Sequence, residues 1–112
     1  RDGVIVNLND WRSVQPGPDP DAYTVSKVTL HGLTRTLAQA LGPHGVRVCE
    51  LALGAVLAPV SGEAGYLKTE RQEIPTRRFP RPSDVTAALL FVLSTPALNG
   101  ETLHLDGGRH LV

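Results

Sequence analysis

The sequence predicts an α/β domain built on a parallel β-sheet. Two observations lead to this prediction: three short runs of apolar, largely β-branched residues indicate buried strands, and helical patterns separate them. Strands that alternate with helices imply crossover connections, which place neighbouring strands parallel and on right-handed paths. The 112 residues suffice for one domain with a core of its own.

The first half of the chain is predicted to form strand, loop, helix and strand. Residues 3–8 are a continuous apolar run, which suits a strand covered on both faces. Pro, Gly and Asp residues at 15–21 indicate a loop. A helix is predicted from about 21 to 41, where apolar residues recur at helical spacing until Gly42-Pro43. Residues 46–53 form the second predicted strand.

The second half is predicted to contain a long irregular segment, a helix and a third strand. Residues 54–81 are rich in Pro and Gly, with one short helix expected at about 65–73. Pro82-Ser83-Asp84 is typical of a helix start, and this helix is predicted to run to about Ser94. Residues 101–105 supply the third strand. Three strands leave sheet edges bare, and the first residue is Arg, so we expect the chain to be a piece of a longer protein.

The amino-acid composition excludes several classes of function. Acidic and basic residues balance at 11 each, which argues against a nucleic-acid or membrane-surface partner. No apolar run is long enough to span a bilayer, and no signal-peptide pattern opens the chain. The single cysteine, Cys49, excludes an internal disulfide, indicates a cytoplasmic protein and is expected to act as a small buried hydrophobic residue. The histidines at 31, 44, 104 and 110 lack metal-ligand spacing, so no metal site is expected.

Three residues carry the chemical signal. Tyr23 and Lys27 are four residues apart on a predicted helix, so they project from one face. A lysine cation beside a phenol favours the phenolate, so we expect Lys27 to lower the pKa of Tyr23 from its usual value of about 10. Asp10 lies thirteen residues before Tyr23, at the end of the first strand. A proton-transfer site is one interpretation; a surface helix pair and a strand-end cap are the structural alternatives.

The whole chain resembles the C-terminal half of a short-chain dehydrogenase/reductase. The resemblance rests on Val4-Ile5-Val6-Asn7, Tyr23-x-x-x-Lys27, Gly42-Pro43-x-Gly45-Val46-Arg47-Val48, Arg81-Pro82-x-Asp84-Val85, and Gly100-x-Thr102 leading to Asp106-Gly107-Gly108. It implies a Rossmann-type doubly wound parallel sheet, present here as a partial NAD(P)-binding domain over residues 1–112. The glycine-rich pyrophosphate turn would lie in a missing N-terminal half, so this fragment alone is expected to be inactive.

The resemblance implies hydride transfer from NADPH, with NADH not excluded, and proton transfer by Tyr23. Lys27 would also hydrogen-bond the nicotinamide ribose, and Gly54 and Val56 would contact the cofactor. Leu53-Gly54 stands where the family usually has Pro-Gly. Family members commonly form dimers or tetramers, so a homo-oligomer of the full-length protein is expected.

Asp10 stands where the family usually has Ser, and in this it resembles the pteridine reductases and dihydromonapterin reductases, as does the ending at 106–111. The resemblance implies that Asp10, Trp11 and Tyr23 face the substrate, a pterin or dihydrofolate reduced at a C=N bond. An ionised carboxylate cannot donate to the oxyanion of ketone reduction, but it suits the N–H donors of a pterin. A protonated Asp10 would instead be a donor.

Two further interpretations stay open. The chain could come from a generic family member that acts on an alcohol or ketone, with Asp10 as an isolated change. It could also be a non-catalytic fragment or an assembly module that keeps only the sheet and the helices. For Trp11, core packing is an alternative to a place at the substrate pocket.

Overall fold

A computed structural model describes residues 2–18, 21–56 and 64–112, without the side chains of 64–66. The predicted order of elements is confirmed, but the first strand extends two residues further than predicted, and the last helix ends one residue earlier, at Leu93. Parts of the predicted loop at 15–21 and of the irregular segment at 54–81 lie outside the described residues. The elements are β1 (Gly3–Asp10), a 3₁₀ turn (Trp11–Ser13), α1 (Ala22–Leu41), a 3₁₀ turn (Gly42–His44), β2 (Val46–Leu53), α2 (Ala64–Glu73), α3 (Pro82–Leu93), β3 (Thr102–Leu105) and a 3₁₀ turn (Arg109–Leu111).

The three described strands form one parallel sheet in the order β1-β2-β3. Their register aligns Asp10, Leu53 and Leu105 at the carboxyl ends of the strands. In open parallel α/β sheets, ligands bind at this edge. The residues that end or follow these strands are therefore the ones whose side chains can share a site.

Helices cover both faces of the sheet, which confirms the predicted doubly wound α/β fold. The face toward α3 is apolar, with Cys49, Leu51 and Val92 fully buried at its centre. Cys49 is thus the small buried hydrophobic residue that the sequence predicts. Within the described part of the chain, none of the helices combines the length and apolarity needed to cross a membrane.

The face toward α1 carries a polar row among apolar residues such as Val48 and Ala52. Asn7, Glu50 and Thr102 form one row across the three strands, and Thr34 of α1 hydrogen-bonds to Asn7 and Glu50. Glu50 and Thr34 are completely buried. A buried carboxylate is stable only when it is paired or hydrogen-bonded, so a satisfied polar network must hold α1 to the sheet.

Helix α1 begins at the carboxyl edge of the sheet because Asp21 caps it. The Asp21 side chain accepts a hydrogen bond from the Thr24 backbone N–H at 2.6 Å, which lowers the pKa of Asp21. The helix ends at Leu41, where Pro43 cannot continue the backbone hydrogen bonds. The cap places Tyr23 in the first turn, close to the end of β1.

Gly107 gives a stability prediction with a matched control. It adopts φ +64°, and a Cβ there would lie 2.6 Å from Ile74 Cγ2 and still closer to Thr76 Oγ1. Gly17 has a similar φ of +72°, but no atom of the described residues would lie within 4 Å of a Cβ built there. A left-handed backbone costs about 1–2 kcal/mol and overpacking a further ~1–3 kcal/mol. We therefore expect Gly107→Ala to lower the free energy of unfolding, measured in urea, by about 3 kcal/mol. Gly17→Ala should incur only the backbone cost, and equal losses would contradict the steric argument.

Candidate active site

The structure brings Asp10 and Tyr23 into contact. The Tyr23 hydroxyl donates a hydrogen bond to Asp10 Oδ2 at 3.1 Å. Asp10 Oδ1 accepts from the Arg12 backbone N–H at 2.9 Å and so caps the 3₁₀ turn that follows β1. Asp10 therefore acts as a strand-end cap through one oxygen and faces Tyr23 with the other, so the two interpretations of this residue are compatible.

Lys27 lies on the same face of α1 as Tyr23, one turn further along. Its Nζ is 5.5 Å from the centroid of the Tyr23 ring, and the side chain is partly buried. The ammonium therefore contacts the aromatic face, whereas Asp10 binds the hydroxyl. Tyr23 itself is 51% exposed, so the phenol is accessible from outside the domain.

The pKa of Tyr23 is raised, and the prediction that Lys27 lowers it is wrong for this structure. Burial is the largest cause, followed by the negative charge of Asp10 and the hydrogen bond to it, while Arg12 acts in the opposite direction. Partial burial removes water that would stabilise the charged phenolate, and the phenolate would in addition face the Asp10 carboxylate directly. Tyr23 carries its proton at neutral pH, as an ordinary tyrosine does, so it can act as a proton donor, although the raised pKa makes it a weaker acid.

The carboxyl end of β2 approaches β3 closely at Gly54. The Gly54 backbone N–H donates to the Leu105 carbonyl at 3.0 Å, and a Cβ on Gly54 would come within 3.0 Å of Asp106 Cα. Val56 follows two residues later and is partly buried. Gly54 follows Leu53, which pairs with Asp10, so it lies at the carboxyl edge of the sheet, and cofactor contact by Gly54 and Val56 stays a prediction.

Trp11 connects Asp10 to the C-terminal turn. Its ring lies 4.4 Å from the Arg109 guanidinium carbon and 5.3 Å from that of Arg12. Arg109 also forms an ion pair with Glu70 of α2 at 3.1 Å, with both side chains largely buried. Trp11 is partly buried and packs against two arginines beside Asp10, and its place at the substrate pocket stays a prediction.

A buried polar network behind the site is absent from the sequence-based prediction. Asn9, which precedes Asp10, hydrogen-bonds to Glu50, and His31 of α1 contacts the same carboxylate. Burial is the largest influence on the pKa of Glu50 and raises it, but hydrogen bonds from Asn9, His31 and Thr102 outweigh burial, so the pKa lies below its usual value. The sequence did contain one sign of this network, because Glu50 is an acidic residue in the middle of an apolar strand.

Three side chains near the C-terminus lie close together although their sequence spacing did not predict it. Ligand atoms of His104, Asp106 and His110 are all within 4.8 Å of one another. The two imidazole rings are stacked, with centroids 3.8 Å apart and planes 15° apart. Nitrogen lone pairs lie in the ring planes, so those of two nearly parallel rings do not converge on one ion. Asp106 also accepts hydrogen bonds from His110 and Gly108 within its turn, and we assign no metal to this cluster.

An open groove lies on the other side of the sheet, between β3, α3 and residues 76–81, and several arginines line it. Arg77 donates to the Ile74 carbonyl at 3.2 Å, and Arg81 pairs with Asp84 at the start of α3. Both arginines thus have structural roles at helix ends. Asp10, Tyr23 and Lys27 are not among the residues that line the groove.

A parallel α/β sheet with a Tyr–Lys helix at its carboxyl edge defines a nicotinamide-dependent class of protein. Comparison with known families agrees, because the family model described as enoyl-(acyl carrier protein) reductase matches residues 1–110. The chain belongs to the short-chain dehydrogenase/reductase family, whose members are NAD(P)-dependent oxidoreductases.

Relatives of several activities match the chain. It is 33% identical over 110 residues to carbonyl reductase family member 4 of Danio rerio, covering 98% of this chain and 46% of that protein. It is 36% identical over 116 residues to 3beta-hydroxysteroid dehydrogenase 1 of Eggerthella lenta, covering 97% and 44%. The crystal structure of FolM alternative dihydrofolate reductase 1 from Brucella canis, complexed with NADP, superposes with a TM-score of 0.93 at 32% identity, covering 100% and 44%. The chain thus spans less than half the length of each.

Proposed function

We propose that residues 1–112 are the C-terminal half of a Rossmann-type domain in a longer NADPH-dependent oxidoreductase, here called the full-length parent. We further propose that this parent reduces a C=N bond of a pterin or dihydrofolate. The main observation in favour of this substrate class is the hydrogen bond from the Tyr23 hydroxyl to the Asp10 carboxylate at 3.1 Å. The similarity in fold and sequence to an alternative dihydrofolate reductase supports the same choice.

Asp10 and Tyr23 suit an imine better than a carbonyl. When Tyr23 protonates the nitrogen of a C=N bond as the hydride adds to its carbon, no alkoxide forms, so the neighbouring carboxylate faces no lasting negative charge on the substrate. The amino and ring N–H groups of a pterin are donors that a carboxylate can accept. Tyr23, which like any tyrosine carries its proton at neutral pH, supplies that proton to the ring nitrogen, and Trp11 borders the substrate beside Asp10.

The residues at the carboxyl edge fit a nicotinamide nucleotide. Lys27 offers three N–H donors to ribose hydroxyls from one turn beyond Tyr23. The absence of a side chain at Gly54 lets β2 pack closely against Asp106, and the backbone from Gly54 to Val56 offers donors and acceptors at this edge. When bound, NADPH would supply the hydride; NADH is the alternative donor.

The second candidate is a dehydrogenase for alcohols or ketones. The observation in its favour is the similarity to carbonyl reductase family member 4 and to 3beta-hydroxysteroid dehydrogenase 1, at identities of 33% and 36% that match or exceed the identity to FolM. In that case the Asp10 carboxylate would oppose the alkoxide that forms.

The proposal includes a homo-oligomer in the cytoplasm. Helix α1 exposes apolar residues that a partner subunit would cover, and Val25 and Leu33 are 54% and 47% exposed. The single cysteine, Cys49, is buried and unpaired, which suits a reducing compartment.

A side-by-side assay of NADPH oxidation by the full-length parent tests the proposal. The substrates are dihydromonapterin, dihydrobiopterin, dihydrofolate and a panel of ketones at equal concentration. We expect the highest kcat/KM for a dihydropterin or dihydrofolate and slow turnover of simple ketones. A preference for ketones would replace the proposal with the second candidate, and a parent without any turnover would favour the non-catalytic interpretation.

A further inference from the structure

We propose that Glu50 is a positioning residue of the active site: its buried carboxylate fixes the orientation of the Asn9 side chain, and Asn9 holds Asp10 and Lys27 in place. This inference rests on the proposed function for its activity measurement. Glu50 itself contacts neither Tyr23 nor Asp10, so it acts through Asn9.

Asn9 connects Asp10 and Lys27 to the sheet. Its Oδ1 accepts from the Asp10 backbone N–H at 2.9 Å, and its Nδ2 donates to the Lys27 carbonyl at 3.1 Å and to Glu50 Oε2 at 2.9 Å. Asn9 is only 3% exposed, so water is a poor substitute for these partners. One side chain thereby links the end of β1, the middle of β2 and the turn of α1 that carries Lys27.

Glu50 determines the orientation of the side-chain amide of Asn9. The oxygen and the NH₂ of an asparagine are similar in size, so their partners determine the orientation. With the carboxylate present, the NH₂ must face it. The reversed orientation would place Asn9 Oδ1 against the Glu50 carboxylate and the Lys27 carbonyl, and it would place the NH₂ against the Asp10 N–H. All three contacts would then be repulsive, whereas all three are hydrogen bonds in the observed orientation.

The Glu50 carboxylate is itself held from several sides. Its Oε1 contacts His31 Nδ1 and accepts from Thr102 Oγ1 at 2.8 Å, and its Oε2 also accepts from Thr34 Oγ1 at 3.3 Å. Glu50 is completely buried, and His31 reaches it from a side chain that is 24% exposed. These contacts leave the carboxylate one position, so Asn9 is oriented by a fixed group.

Two substitutions of Glu50 in the full-length parent separate its effect on the orientation of Asn9 from the effect of its side-chain volume. Glu50→Leu fills a similar volume but removes the acceptor for Asn9. In Glu50→Gln, the side-chain NH₂ can point toward His31 and Thr102, whose ring nitrogen and hydroxyl oxygen can both accept hydrogen bonds. The side-chain oxygen of the glutamine then still accepts from Asn9. Because small misplacements of reacting groups can cost about 10²-fold, we expect Glu50→Leu to lower kcat about 10- to 100-fold with little change in KM. Glu50→Gln should retain most of the wild-type kcat.

A second measurement requires no substrate. The Cζ carbon of Tyr23, assigned by its loss in Tyr23→Phe, is titrated by NMR in each variant. Glu50→Leu should loosen the contact between Asp10 and Tyr23 and move the pKa of Tyr23 downward, whereas Glu50→Gln should leave it unchanged. This result is independent of whether a pterin is the substrate, so it separates failure of the inference from failure of the proposed function.

Both kcat and the titration of Tyr23 can overturn the inference. A folded Glu50→Leu protein with wild-type kcat and an unchanged Tyr23 titration would do so, and so would a Glu50→Gln protein as impaired as Glu50→Leu. If Glu50→Leu fails to fold, Asn9→Ala removes the connecting side chain directly. It should reproduce the loss of kcat and the downward shift, and normal behaviour in both would equally overturn the inference.

Discussion

Tyr23→Phe in the full-length parent is expected to lower kcat about 10²–10⁴-fold, the usual contribution of a positioned general acid. The substitution keeps the ring that Lys27 contacts and removes the hydroxyl that donates to Asp10 at 3.1 Å. Because Tyr23 is 51% exposed and its hydroxyl has no role in the core, the free energy of unfolding should change little. Steady-state NADPH oxidation and urea unfolding together measure the two effects.

Thr29→Ala is the matched control for Tyr23→Phe. It removes a hydroxyl from the exposed face of the same helix, where Thr29 Oγ1 donates to the Val25 carbonyl at 2.9 Å. We expect kcat to stay within about twofold of wild type, since surface changes of this kind rarely alter a site. A Tyr23→Phe enzyme that turns over as fast as the Thr29→Ala enzyme would remove Tyr23 from the mechanism.

The sequence predicts the fold well because local signals determine it. Continuous apolar runs at 3–8 and 46–53 are typical of strands covered on both faces, and Pro and Gly mark where the helices begin and end. The predicted start of α1 at about residue 21 and its predicted end before Gly42-Pro43 are within one or two residues of the observed ends. The parallel arrangement follows from the alternation of strands and helices, since the connecting helices return the chain to the same edge.

The arrangement of the site could be predicted only in part. Helical spacing places Tyr23 and Lys27 on one face, and the end of β1 places Asp10 near them. The predicted pKa direction of Tyr23 was wrong because that direction depends first on how far the hydroxyl is removed from water and then on which charge is nearer to it. Sequence spacing does not determine that distance, and in the structure the carboxylate binds the hydroxyl while the ammonium contacts the ring.

The Glu50 network was missed for a different reason. Its hydrogen bonds join residues that are 41, 19 and 52 positions apart, so no local pattern contains them. The stacking of His104 on His110 depends in the same way on how the C-terminal turn folds back on β3. A single acidic residue inside an apolar strand indicates that a partner must exist, but it does not identify the partner.

Replacing Asp10 is expected to change the preferred substrate. In the full-length parent, Asp10→Ser supplies a hydroxyl donor where an alkoxide would form, and a serine can still cap the 3₁₀ turn that Asp10 caps through the Arg12 N–H. We expect kcat/KM for dihydropterins to fall about 10²-fold, the magnitude typical of a lost acid–base partner. Turnover of ketones should rise, because the anionic group that opposes the oxyanion is gone.

Asp10→Asn is the isosteric control that separates charge from shape. It keeps the cap and the size of the side chain, but it removes the charge that, after burial, contributes most to the raised pKa of Tyr23. The pKa of Tyr23 should therefore fall in both variants, so the pH above which activity declines should move downward in both. If charge selects the substrate, Asp10→Asn should lose pterin turnover as Asp10→Ser does. Pterin turnover that survives in both variants, with ketone turnover unchanged, would show that Asp10 does not determine the substrate class and would leave the alcohol or ketone dehydrogenase as the better description.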